Sequence, residues 1–191
     1  MFAKFSECIT QSLIDTQIIE SEERELYRYG IQQGLTIVLN LVTTLLIGLL
    51  CDMIWQSIVF TVAYIPLRSF AGGYHAKTTI GCYIFSIVLI TAVLLTMKLL
   101  PISSFVCCIM LLCSGVCIFV LAPVENHNKP LDDMELTVYG RRTRWITVLE
   151  ITLALLCGRS GLQDVMMCLS VSLVIMSVML ILGAIKNKLS I

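Results

Sequence analysis

Long apolar runs decide what this chain can become. They cover Gln32 to Leu50, Met53 to Leu67, Thr79 to Met97, Pro101 to Ala122, Thr143 to Gly158 and Val165 to Ile185. A helix needs about 20 mostly apolar residues to cross the hydrocarbon of a bilayer. Inside lipid, a chain must also satisfy its own backbone groups, which a helix does. The expected fold class is therefore all-α: one integral-membrane domain over residues 1–191, with about six transmembrane helices. The second and fifth runs are short and carry polar residues, so a re-entrant or tilted segment is the alternative for either.

Composition agrees. Hydrophobic residues make up 58% of the chain and charged ones 14%, against a usual charged share of about a quarter. The mean hydropathy is +0.92. Such a chain buries too much apolar surface to be disordered. The 13 basic residues balance 13 acidic ones, so the net basic face of a nucleic-acid binder is missing. Seven of the nine cysteines, Cys51, Cys107, Cys108, Cys113, Cys117, Cys157 and Cys168, lie in or beside the apolar runs. There they read as small hydrophobes. With no CxxC pair, no zinc or other metal site is expected.

Basic residues orient the chain. With the N-terminus inside, the inner segments hold Lys4, Arg24, Arg28, Arg68, Lys77, Lys129, Arg141, Arg142, Arg144, Lys186 and Lys188, while the outer ones hold only Lys98 and Arg159. Positive charge stays on the cytoplasmic side, so both termini and the two larger loops, 68–78 and 123–142, are expected there. No signal peptide is legible, because acidic residues Glu20, Glu22, Glu23 and Glu25 precede the first long run. Residues 1–30 read as a cytoplasmic or interfacial segment. Within it Phe2, Phe5, Ile9 and Leu13 recur at helical spacing, as in an amphipathic helix lying on the inner membrane face. Ser21, followed by Glu22 and Glu23, reads as the start of a helix that continues into the first span.

The inner loops hold the residues with chemistry. The only histidines are His75 and His127. His75 lies in Arg68-Ser-Phe-Ala-Gly72-Gly73-Tyr-His75-Ala76, with Cys82 seven residues further on. Histidine is a base near neutral pH, and a base beside a thiol is a sufficient device for nucleophilic catalysis. On one unbroken helix the two residues would stand ~10.5 Å apart along the axis, beyond the ~3 Å of proton transfer. The chain is therefore expected to break between them, with Gly72, Gly73 and Gly81 as flexible points and Thr78 or Thr79 capping a new helix that opens just before Cys82. Glu150, inside the fifth run, is costly in lipid and is expected to be protonated, paired or near the interface, with a structural partner ranked above a catalytic role. Asn40, in the first run, is a candidate for hydrogen bonding between helices.

The segment Arg68, Gly72, Gly73, His75, Ala76 and Cys82, on the inner side of a chain of this length and span count, resembles the accessory gene regulator protein B (AgrB) family. The stretch Ala122-Pro123 to Lys129-Pro130-Leu131 is similar to the family's proline- and lysine-bearing loop. The resemblance implies a multi-pass cysteine endopeptidase of the bacterial cell membrane. Its substrate would be a short AgrD-like propeptide, cleaved and closed into a cyclic autoinducing peptide for quorum sensing. Cys82 would be the nucleophile, attacking a peptide carbonyl and releasing an acidic tail, and His75 the base. An internal nucleophile would then capture the acyl-cysteine thioester as a lactone or thiolactone ring. No cofactor is implied, and a homodimer is compatible. Arg68, Gly72, Gly73, Lys129, Pro130, Arg141 and Arg142 are the candidate substrate-binding residues. For the three arginines before the fifth span, anchoring to lipid headgroups is the competing reading. The rival classes are a small transporter or peptide exporter and a non-catalytic scaffold, either of which would leave His75 and Cys82 dispensable.

A membrane-impermeant maleimide applied from outside is expected to miss single cysteines placed in 68–78 or 123–142. Strong external labelling there would overturn the topology.

Overall fold

The computed structural model describes residues 3–74, 78–100, 102–125 and 132–189. Seven α-helices account for nearly all of them: α1 (Ala3–Asp15), α2 (Arg24–Leu50), α3 (Ile54–Ala71), α4 (Thr79–Leu99), α5 (Ser104–Leu121), α6 (Asp133–Arg159) and α7 (Gln163–Leu189), with a 3-10 turn at Ser21–Glu23 leading into α2. The all-α expectation holds. Four stretches, Ser21–Leu50, Ile80–Leu99, Ser104–Leu121 and Gln163–Lys188, are long and apolar enough to cross a membrane. The shorter α3 carries Gln56, Thr61, Pro66 and Arg68, and α6 carries four arginines and Glu150, so neither joins them on composition.

Two expected loop boundaries need correction. The fifth apolar run begins at Thr143, but α6 starts ten residues earlier, so 133–142 of the expected loop 123–142 is helical. The cause is a capping box: the Asp132 side chain accepts from the start of the helix, and the Glu135 carboxylate accepts from the Asp132 N–H. Similarly α3 runs on to Ala71, which places Arg68 in its last turn rather than in a loop 68–78.

The helices end where the sequence supplies a device. At the C-terminal end of α2, Lys98 of α4 donates to the Cys51 carbonyl at 2.7 Å and stands 3.8 Å from Asp52, a cation placed at a helix C-terminus. Gly161, at φ +81°, closes α6, and the Leu162 N–H returns to the Cys157 carbonyl at 2.9 Å.

The last helix is the centre of the bundle. It packs against α3, α5 and α6, burying Leu173, Met176 and Leu180 against Leu67 and Ala71 of α3 and Leu111 and Ile118 of α5. A second cluster joins Phe60 of α3, Leu94 and Met97 of α4 and Val171 of α7. Lipid is as apolar as these side chains, so association rests on close packing and interhelical hydrogen bonds. Gly115 of α5 meets Ile151 of α6, and Gly158 of α6 meets Met166 of α7. Ser177 of α7 donates to the Leu173 carbonyl at 3.0 Å and lies 3.2 Å from the Ser114 carbonyl of α5. Glu150 is buried on the inner face of α6 with Thr143 and Thr147, and its Oε2 has no hydrogen-bond partner among the described residues. The structural partner expected for it is not found there.

By contrast, Gly48 is the single buried residue of α2. This helix leans on α3, α4 and α1 and leaves Ile37, Val38, Val42 and Leu46 exposed. Helix α1 docks on it through buried Ser6 and Thr10 and through Glu7, which pairs with Arg24 and Arg28. Phe5 stays exposed, and Phe2 lies outside the described residues.

The Arg24 hydrogen bond, with help from Arg28, holds the Glu7 carboxyl below the usual carboxylate range. A depressed folded value means that the tie is fully present above the ordinary carboxylate pKa and is lost as pH falls through the folded one. Solvent keeps its contribution small. Amide exchange in α1 is expected to rise on acidification below about pH 4. Glu7→Gln should raise that exchange already at neutral pH and remove the acid step.

Candidate active site

The turn between α3 and α4 departs from helical geometry, and five of the six backbone polar groups of residues 72–74 have partners among the described residues. Gly72, at φ +74°, and Gly73, at φ +105°, take conformations open to glycine. The Gly72 N–H reaches the Arg68 carbonyl at 3.3 Å, the Gly73 N–H reaches the Val124 carbonyl at 3.3 Å, and the Tyr74 N–H reaches the Met179 carbonyl of α7 at 3.0 Å. The Arg68 guanidinium donates to both the Gly72 and the Tyr74 carbonyls. Val124 returns its own N–H to the Ala71 carbonyl at 2.9 Å, so the segments that follow α3 and α5 pair as a short parallel bridge. Asn187 of α7 fixes the second of them through the Glu125 carbonyl at 2.8 Å.

After this turn the chain starts again as a helix. The Thr78 side chain caps α4 by accepting from the Gly81 N–H at 3.1 Å, and the Cys82 N–H donates to the Thr78 carbonyl at 2.9 Å. The expected break between residues 75 and 82, with Thr78 as cap, is present. Cys82 therefore stands in the first turn of α4, where the helix dipole favours negative charge.

Cys82 opens into a cavity of about 550 Å³ between α2, α3 and α4, also lined by Arg68, Gly72 and Tyr74. Further along the helices its walls are mostly apolar, from Leu41, Phe60, Leu89 and Ile90, with Thr44 and Thr61 among them. Tyr64 and Asn40 face it as well; the Asn40 Nδ2 bonds within its own helix, to the Thr36 carbonyl at 3.0 Å, rather than to another helix. Tyr74 packs on Phe85, one turn beyond Cys82, with ring centroids 5.5 Å apart, and the Lys186 ammonium sits 4.9 Å above the Tyr74 ring.

Of the candidate residues, Cys82, Arg68 and Gly72 thus come together, with Gly73 beside them. Arg68 has two carbonyl partners of its own, so it builds the turn before it can hold a substrate. Arg141 is exposed on α6. Arg142 lies 5.1 Å over the Phe70 ring, which meets Tyr139 edge-on at 5.7 Å. His75, Lys129 and Pro130 lie outside the described residues. Among the described residues, no group of histidine, cysteine and acidic side chains could hold a metal ion.

Three residues that shape this site went unread in the sequence: Tyr64, Gly183 and Asn187. The signal for Gly183 is a glycine in an otherwise bulky span, where a small residue marks close approach. A Cβ on Gly183 would stand 2.8 Å from the Gly73 carbonyl carbon and 2.9 Å from both the Gly73 Cα and the Tyr74 nitrogen. Gly183→Val is therefore expected to push the turn off α7 and to cost on the order of 1–3 kcal/mol, as overpacking does, read as a lowered melting temperature in detergent. Gly34→Ala is the control: nothing lies within 4 Å of its added Cβ, and it should melt no lower than the unaltered chain.

A family model described as accessory gene regulator B matches residues 6–180, which include the whole segment from Arg68 to Cys82. An AgrB-like protein of Clostridium perfringens (strain SM101 / Type A) is 22% identical over 138 residues, 69% of this chain and 64% of that protein. Protein FsrB of Enterococcus faecalis (strain ATCC 47077 / OG1RF) is 29% identical over 150 residues, 78% of this chain and 60% of its own length. The chain thus spans less than two thirds of the length of these curated relatives. No solved structure matches. With a family model running from α1 into α7, the chain belongs to the accessory gene regulator B family.

Proposed function

We propose that this protein is a membrane cysteine endopeptidase that matures a short quorum-sensing propeptide, with Cys82 as nucleophile and His75 as base. The observation that carries the reading is the position of Cys82: the first turn of a helix, at the mouth of a cavity, directly after a turn held by Arg68. The sulfur attacks the carbonyl carbon of the bond to be cut, and the C–N bond breaks. The tail leaves as an amine that takes the proton His75 received from the thiol. An acyl-cysteine thioester remains. An internal thiol or hydroxyl of the peptide attacks the thioester, the C–S bond breaks, and the ring closes with Cys82 regenerated.

The apolar depth of the cavity suits this sequence of steps. Ring closure competes with hydrolysis, so water must be excluded and the internal nucleophile held close. In this reading all six long helices span the bacterial cell membrane, both termini and the site are cytoplasmic, and α1 lies at the inner interface. An amphipathic propeptide reaches the site along the same surface. Exposed Arg141 and Arg144, with Lys129, attract its acidic tail, and salt weakens that attraction.

Co-expression with the short reading frame beside its own tests the proposal. Cys82→Ala and His75→Ala are each expected to abolish tail release while leaving membrane insertion intact. Because the pair acts as one unit, the double variant should be no worse than either single one. Tail release retained in Cys82→Ala would remove the nucleophile and favour a transporter or scaffold.

A further inference from the structure

Attack on a carbonyl places negative charge on its oxygen, and a preorganised donor must meet that charge. A nucleophile's own backbone N–H often serves. Here that group is spent, because the Cys82 N–H donates to the Thr78 carbonyl at 2.9 Å, and the preceding Gly81 N–H donates to the Thr78 hydroxyl. On α3 and α4, the two helices that carry Arg68 and Cys82, the serine and threonine hydroxyls lining the cavity are engaged; Thr44 of α2 and Tyr74 of the turn line it as well. Thr61, Ser69 and Ser86 donate to the carbonyls of Ser57, Ile65 and Cys82, at 2.6, 2.9 and 3.0 Å. Arg68 is turned toward the Gly72 and Tyr74 carbonyls.

Tyr64 differs. It lines the same cavity, one helical turn before Arg68 on α3. Its phenol is close enough to both the Arg68 guanidinium and the Cys82 thiol for their charges to act on it. Its ring is locked by stacking on Phe60, with centroids 5.4 Å apart and planes within 13°. Its hydroxyl makes no hydrogen bond with any described residue. Tyr64 is half-buried, with its ring packed in the protein and its polar tip free to meet what enters the cavity. A phenol held rigid, unpartnered and beside a nucleophile is a donor kept for a ligand.

We propose that Tyr64 is a further catalytic residue, whose phenol donates a hydrogen bond to the carbonyl oxygen under attack by Cys82. As the C–S bond forms, the carbonyl π pair moves onto oxygen, and the Tyr64 O–H meets it without giving up its proton. When the pair returns, the C–N bond breaks and the leaving amine is protonated by the general acid described above. The positive charge of Arg68, one turn further along α3, strengthens the phenol as a donor. This inference rests on Cys82 being the nucleophile.

The test uses the full chain in lipid nanodiscs with two probes. An N-acetylated apolar tripeptide aldehyde adds to the thiol, forming a C–S bond and leaving its oxygen where the oxyanion would be. Iodoacetamide alkylates the same sulfur by displacing iodide and forms no oxyanion. Tyr64→Phe keeps the ring and its stack. It is expected to weaken aldehyde binding on the order of 10²-fold, the usual loss for one oxyanion donor, while the alkylation rate at Cys82, read by peptide mass, stays unchanged. Aldehyde affinity left within about twofold of the unaltered chain would overturn the assignment. So would equal losses with both probes, which would mean a damaged thiol site rather than a lost donor. Cys82→Ala separates the two levels. Aldehyde binding that survives Cys82→Ala removes the nucleophile, and this inference with it. Binding that needs Cys82 but ignores Tyr64→Phe leaves the peptidase standing without this donor.

Discussion

Backbone that leaves helical geometry at a membrane boundary must find partners within the protein. Residues 72–74 face that demand, and the site is arranged around its solution. Five groups are satisfied: three N–H groups, by carbonyls from α3, the 123–125 connection and α7, and two carbonyls, by one arginine. Arginine is suited to the task because its planar fork serves two acceptors at once and stays charged. The two glycines are suited because the required φ values exclude a side chain, and a Cβ on Gly72 would stand 2.1 Å from the Val124 carbonyl oxygen. The position of Cys82 follows from this, since the turn sets where α4 can begin.

The surroundings of Cys82 divide into a polar rim and an apolar depth. The rim is backbone and arginine at the C-terminal end of α3, and the depth is Phe60, Leu89 and Ile90. Between them stands Tyr64, apolar in body and polar at its tip. A peptide bond held at that boundary would keep its polar atoms on the rim and its side chains below. Such a boundary exists because α3 and α4 barely touch, while α2 rests on both.

Much of this was legible in the sequence, and the misses share a cause. The apolar runs marked six helix cores, because lipid demands a composition that no other solvent does. Arg68, Gly72, Gly73 and Cys82 stood out because charge, glycine pairs and a thiol are unusual beside such runs. Boundaries were less well read. Asp132 and Glu135 carry a capping signature, but Arg141, Arg142 and Arg144 interrupt the hydropathy and hid ten residues of helix. The roles of Tyr64, Gly183 and Asn187 depend on which distant segment lies opposite them. Tyr64 reads as one more apolar-run aromatic until α4 is placed beside α3. Nothing local to Gly183 names Gly73, 110 positions earlier.

That separation bears on the order in which the protein is made. Chains emerge N-terminus first, at roughly 5–20 residues per second. Residues 68–82 leave the ribosome well before Met179 and Gly183, so for some seconds the turn lacks the carbonyl that receives Tyr74 and the open helix face that admits Gly73. The thiol is synthesised early but seated late. A nascent or truncated chain that stops short of α7 carries Cys82 without the scaffold that sets it, and the site is assembled only once α7 takes its place.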